Sequence, residues 1–90
     1  MLIVLGKDLF FERGVKMPER RPFDVLNSAL NNTVIIGMKG GYEFRGVMVA
    51  YDVHMNIVLE KAEQIVNGEV KRGVGTVLLR GDSVTYISPS

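Results

Sequence analysis

Residues 33–51 read TVIIGMKGGYEFRGVMVAY, and the period of this stretch decides the fold. Thr33 to Lys39 is rich in β-branched residues, which suit a strand. Lys39-Gly40-Gly41 makes a tight turn, because consecutive glycines admit positive φ. Tyr42 to Tyr51 then alternates, with Tyr42, Phe44, Met48 and Ala50 on one face and Gly46 among them. A glycine inside a strand marks a sharp bend or a close approach of another backbone.

Downstream the same period continues. Met55 to Ile65 reads as a third strand, with Met55, Ile57 and Leu59 on one face. Asn67-Gly68 is a strong two-residue hairpin signal. Glu69 to Leu79 is the fourth strand, Arg80-Gly81-Asp82 turns the chain, and Ser83 to Ser88 is the fifth. Connections this short force antiparallel neighbours. Long second to fourth strands with an internal glycine predict a strongly bent sheet that curls into a small barrel. The last two strands are its edges. Val74 to Leu79 and Val84 to Ile87 are β-rich and mostly uncharged, an invitation to pair with another chain. Head-to-tail pairing between different edges makes a ring if the rotation closes.

Upstream the period is helical. Pro22 to Leu30 places Phe23, Leu26 and Leu30 on one face. Proline suits the first helical position, Asp24 sits where the helix dipole favours negative charge, and Asn31-Asn32 can end the helix in a left-handed conformation. Two turns do not hold together in water unaided, so this helix must rest on the barrel, at an open end. Residues 1–21 read as a separate N-terminal extension, with 22–90 as the domain. Leu2 to Leu5 and Leu9 to Phe11 fit a strand or a short helix, while Gly14, Pro18 and the charges around Arg20 fit a linker. A second reading is a misassigned start: Glu12-Arg13-Gly14 can be encoded by a purine-rich run resembling a ribosome-binding site, just before Val15 or Met17.

Composition bounds the function. A chain of 90 residues with 47% apolar content is one small globular domain, for which oligomerisation adds buried area. The absence of cysteine removes disulfides, thiolate metal sites and cysteine nucleophiles, and it suits a reducing compartment such as the cytoplasm. A zinc site around the single histidine, His54, would need carboxylates for nearly all its other ligands, so neither metal nor cofactor is expected. No stretch approaches the roughly 20 apolar residues that span a bilayer, so no membrane partner is expected. The net charge of +1 offers no broad basic face. A nucleic-acid site must therefore be local.

Two clusters supply such a site. The first is Tyr51-Asp52-Val53-His54-Met55-Asn56. In an extended chain Asp52, His54 and Asn56 share one side, while Val53, Met55 and Ile57 share the other and face the core. An imidazole can stack on a base. An asparagine amide offers a donor and an acceptor, matching the O4 and N3–H of uracil, and a neighbouring aspartate can orient that amide. The second cluster is Arg80-Gly81-Asp82, whose guanidinium can stack on a base or pair with phosphate. Taken alone, His54 reads as a solvated loop histidine, Asp52 as a turn aspartate and Arg80-Gly81-Asp82 as a tight turn. Tyr42 and Phe44 read as core, and Lys39 and Arg45 as solvated. An Asp-His pair can serve acid–base catalysis, but no motif places a nucleophile, and no enzyme is expected.

The two clusters together resemble the Sm-like (LSm) family. Phe23 to Gln64 is similar to its first motif and Gly75 to Pro89 to its second. The matching residues are Gly40 in its turn, Phe44-Arg45-Gly46, Asp52-Val53-His54-Met55-Asn56, Ile57-Val58-Leu59, and Arg80-Gly81-Asp82 followed by Val84. His-Met-Asn with Arg-Gly-Asp is particularly similar to archaeal members. The resemblance implies a mainly β fold, a strongly bent five-stranded antiparallel SH3-like barrel (the Sm fold) with a short N-terminal helix. It also implies a homo-oligomeric ring, heptameric in most archaeal members, joined by the fourth strand of one subunit and the fifth of the next. By resemblance His54 and Arg80 sandwich a uracil and Asn56 reads its edge. Asp52 and Asp82 support them, and Gly81 lets the RNA approach. The expected partner is short single-stranded uridine-rich RNA at the ring centre, in a scaffold for RNA processing or ribonucleoprotein assembly. The alternative is a ring that docks proteins without specific RNA binding.

Overall fold

The computed structural model describes Ile3–Val4 and residues 22–90. The chain runs through strand β1 (Ile3–Val4), helix α1 (Pro22–Ala29) and strands β2 (Thr33–Met38), β3 (Tyr42–Tyr51), β4 (Ile57–Val66), β5 (Glu69–Leu79) and β6 (Val84–Pro89). The strands form one antiparallel sheet in the order β1-β6-β2-β3-β4-β5. The five expected strands and the helix are all present, with β5 at one border. The other border is the two-residue β1, lying outside β6. The expectations for Leu9 to Phe11 and for the linker around Gly14 and Pro18 fall outside the described residues, as does the side chain of Phe23.

Local chemistry accounts for the elements. The helix buries Leu26 against the sheet and ends at Asn31, whose φ of 66° is left-handed. Its exit is moored to β3: Asn31 N–H donates to the Met48 carbonyl at 2.7 Å, and Met48 N–H to the Asn32 carbonyl at 3.1 Å. The Tyr51 hydroxyl adds a 2.6 Å bond to the Asn27 side chain. Asn67 and Gly68 both take positive φ, the conformation of a two-residue hairpin turn whose twist matches its strands.

The bend comes from bulges. Arg45 opposes Glu63 and Val47 opposes Glu60, so Gly46 faces two residues, Lys61 and Ala62. Lys61 adopts a left-handed φ of 55°, and Gly75, opposite Ala62, has φ 73°. Three neighbouring strands thus fold along one line, as extra residues in a ladder make them do. Gly46 is required there. A Cβ at this position would lie 2.9 Å from the Glu60 carbonyl oxygen and 3.0 Å from Ala62 Cα. The concave side closes over Val34, Ile36, Met48, Ile57 and Leu59, all nearly inaccessible. Burial of each such side chain stabilises the fold by about 1.5–3 kcal/mol. Phe44 joins this core, and half-buried Tyr42 meets it edge-on at a centroid distance of 5.7 Å. Among the described residues no helix is long and apolar enough to cross a membrane.

Several expectations need correction. Ala50 is exposed instead of core-facing. Met48 pairs with Leu59 and Ala50 with Val58, so Val49 is an extra residue that reverses the phase. β4 starts at Ile57 instead of Met55, because the preceding residues form a turn. Arg45 is not simply solvated, since it pairs with Glu63 at 2.8 Å directly across the ladder.

The crowding at Gly46 gives a direct test. Gly46→Ala is expected to lower the unfolding free energy by about 1–3 kcal/mol, as overpacked positions do. Gly73→Ala, whose Cβ would meet nothing within 4 Å, should stay within about 0.5 kcal/mol of the parent. Urea unfolding of the two variants side by side makes the comparison, and equal midpoints would dissociate the bend from Gly46.

Candidate nucleic-acid interface

The site is built from the β3–β4 turn and the turn after β5. The ladder between β4 and β5 ends with Ile57 opposite Leu79, so the residues just beyond, Asn56 and Arg80, are brought together by register.

Asp52 organises the first turn. Its N–H donates to the Asn56 carbonyl at 3.1 Å, and its own carbonyl accepts from Met55 N–H at 2.9 Å. Its Oδ1 accepts from the N–H groups of His54 at 2.9 Å and Asn56 at 3.0 Å, and its Oδ2 accepts from Asn56 Nδ2 at 3.1 Å. An aspartate that binds its own following backbone is a turn-former, and here it also fixes the amide that follows. Met55 completes the turn with a φ of 63°. The segment is therefore not extended, and the expected alternation fails at Val53, which is 71% exposed at the tip instead of facing the core. Met55 does reach the core, half-buried.

Asn56 joins the two turns. Its Oδ1 accepts from Gly81 N–H at 2.9 Å while its Nδ2 donates to Asp52. These two partners settle which amide atom points where, since a carboxylate only accepts and a backbone N–H only donates. The amide keeps one N–H and one oxygen lone pair beyond them, the complement of a uracil edge. Gly81 contributes by having no side chain. A Cβ there would lie 1.8 Å from the His54 carbonyl oxygen, so that oxygen occupies the space and the two turns pack backbone to backbone. The absent side chain thus serves the union of the loops, a role that reading the residues as an open approach for RNA had missed. The only sequence signal for it was the glycine itself.

Arg80 and Asp82 flank Gly81. Their 3.2 Å ion pair is solvent-exposed on both sides, which makes it a weak tether and leaves the guanidinium able to turn onto a base. Ser83 N–H closes the turn on the Arg80 carbonyl at 3.0 Å, and the Ser83 carbonyl accepts from Lys39 N–H at 2.8 Å. Lys39 is thereby tied by its backbone to the second turn, which its sequence position did not suggest. His54 is exposed beside Gly81, so both stacking candidates face solvent from turns that touch.

The electrostatics follow from Asp52. The bond from the Asn56 side chain, then that from the Asn56 backbone, holds its carboxyl below the ordinary aspartate value of 3.8 against the opposing effect of desolvation, with smaller contributions from the His54 N–H and the His54 charge. Because the folded value is the lower one, the bonds to the carboxylate stabilise the turn fully above pH 3.8 and are lost as the pH falls through the folded value.

Comparison with known proteins places this geometry in context. Residues 24–89 match the LSM domain. An snRNP Sm-like protein of Methanococcoides burtonii is 56% identical over 69 residues, which is 77% of this chain and 96% of that one. Among solved structures, the Sm protein of Pyrococcus abyssii in complex with a uridine heptamer superposes with a TM-score of 0.76 at 45% identity, covering 79% of this chain and all of that one. The SmAP1 heptamer of P. aerophilum gives a TM-score of 0.72 at 33% identity over 77% of this chain and 92% of its own.

The Asp52–Asn56 bond predicts a titration. The side-chain carboxyl of Asp52, followed by NMR, should titrate with a midpoint below 3.8, and Asn56→Ala should raise that midpoint by removing its main cause. A midpoint that ignores the substitution would disconnect the amide from the carboxylate.

Proposed function

Because the chain belongs to the LSM-domain family, we propose that it is a ring-forming RNA-binding protein that holds short single-stranded uridine-rich RNA at the ring centre. The observation that carries this reading is the Asn56 amide. It is locked between Asp52 and Gly81 at the junction of two turns that also present His54 and Arg80. Its remaining donor and acceptor are suited to the O4 and N3–H of uracil. His54 and Arg80 supply planar groups for the two faces of the base. Asp52 fixes the Asn56 amide and the turn that carries His54, and Asp82 tethers Arg80 loosely. Residues 22–90 are the ring-forming domain in this proposal, and residues 1–21 are an extension to it. The Pyrococcus abyssii protein, bound to a uridine heptamer, and the P. aerophilum heptamer support both the ligand and the ring.

The mechanism is multiplication of weak sites. Stacking and edge recognition of one base is worth about 1–3 kcal/mol. A ring sets identical sites side by side, so each further nucleotide of one strand binds at high effective concentration. The protein then acts as a non-enzymatic scaffold in the cytoplasm, in RNA processing or ribonucleoprotein assembly.

Three measurements test this. The mass in solution should correspond to about seven subunits, as in the P. aerophilum heptamer. Oligouridine should bind more tightly than oligoadenine of equal length. Arg80→Ala should weaken oligouridine binding at least about fivefold, the low end of one lost stack, and Asn56→Ala should erase the preference for uridine. Rings that bind neither oligonucleotide, or bind both equally in parent and variants, would leave protein docking as the remaining role.

A further inference from the structure

Every strand has two edges, and in β6 both are occupied. One is paired with β2 from Val34 opposite Pro89 to Met38 opposite Val84. The other carries β1, with Ile3 opposite Ile87 and Val4 opposite Tyr86. The far border of the sheet is β5, whose outer edge has no strand beside it among the described residues. β5 is exposed along most of its length, including Val70 at 51% and Leu78 at 64%. A ring joined through its last two strands, as in the reading above, uses the β5 edge of one copy and the outer β6 edge of the next. That β6 edge is the one β1 covers, at the middle of the strand. A strand edge accepts one partner at a time, since each N–H and C=O along it points at a single neighbour.

We propose that Ile3–Val4 is a self-cap: an intramolecular competitor for the edge at which subunits join, so that assembly exchanges β1 for the β5 of a neighbour. The inference rests on the ring reading above and adds a control to it. β1 is held on the same chain and reaches the edge without diffusion, so it wins at low concentration. It offers only two residues against the eleven of β5, so it yields as concentration rises. An uncovered β-rich edge is a hazard for a lone subunit, and the cap removes that hazard until a partner arrives. Ile3 and Val4 lie outside the segment that matches the LSM domain, so the device is an addition by this chain to the shared fold.

The test compares the full chain with Ile3→Pro/Val4→Pro, which removes both N–H donors of β1, and with Ile3→Ala/Val4→Ala, which keeps them. Sedimentation velocity over a dilution series gives the concentration at which half the subunits are in rings. Amide exchange in the subunit fraction reports the cap directly, at whichever of the Tyr86 and Ile87 N–H groups points away from β2. The proline pair should assemble at about tenfold lower concentration, the order set by one or two net backbone hydrogen bonds, with faster exchange at the one of these two amides that faces β1 and no change at the one that faces β2. The alanine pair should follow the parent more closely. Where rings persist at every dilution, subunit exchange replaces the midpoint, and the parent should exchange faster than the proline pair. Equal assembly or exchange in the parent and the proline pair overturns the self-cap alone. Failure of all three proteins to form rings at any concentration overturns the ring and the self-cap with it.

Discussion

The pairing of Ile57 with Leu79 is the contact on which the site depends. The β4–β5 hairpin starts at Asn67-Gly68 with Val66 opposite Glu69, and an unbroken ladder from there would set Ile57 against Leu78. Bulges along the way add one net residue to β5. That single residue turns Leu79 into the core and leaves Leu78 64% exposed. It also brings Arg80 and Gly81 level with Asn56. A slip of one residue reverses the faces of a strand, so in an unbulged hairpin the amide of Asn56 would have no Gly81 N–H to meet. The bend of the sheet and the geometry of the site thus have one origin.

Much of this was legible in the sequence, for physical reasons that can be named. The helix announced itself by proline at its start and asparagines at its end. The strands showed a period of two, and Asn67-Gly68 declared its turn type. The bend was visible as Gly46. What could not be read was phase beyond each bulge. Leu78 and Leu79 are equally apolar, so hydrophobicity does not say which one is buried. Ala50 looked inward until Val49 was inserted into the ladder. Val53 looked inward because five residues were read as extended when Asp52 in fact curls them into a turn. The membership of His54, Asn56 and Arg80 in one cluster was legible through the paired motifs. Their mutual support was not, because the space that Gly81 leaves for the His54 carbonyl is a relation between segments far apart in the chain. Ile3–Val4 had allowed either a strand or a helix, and a neighbour with an open edge decided between them.

The junction of the two turns also illustrates how a small domain makes a rigid surface element from backbone and side-chain hydrogen bonds. Backbone and carboxylate hydrogen bonds fix the β3–β4 turn, and a shared amide fixes it to its neighbour. The imidazole and the guanidinium are left outward-facing, and in the proposed function their planes keep the freedom to meet a base. Ordering the frame in advance reduces what binding must spend on immobilising it. Half of the Asn56 amide belongs to that frame, and in the proposed function the other half is left for a base.

The pairing of β2 with β6 carries a consequence for how the chain is made. The hairpins β2–β3, β3–β4 and β4–β5 join neighbours in sequence and can close as soon as both strands have been synthesised. Ile36, by contrast, waits for Ile87, so β2 stays open on one side while the whole of β3, β4 and β5 is translated. Distant pairings of this kind set the pace of folding, and an unpaired border in a nascent chain is where neighbouring polysome products stick together. Completion of β6 is therefore the moment at which the β2 border of a growing chain stops being a risk to its siblings on the same message.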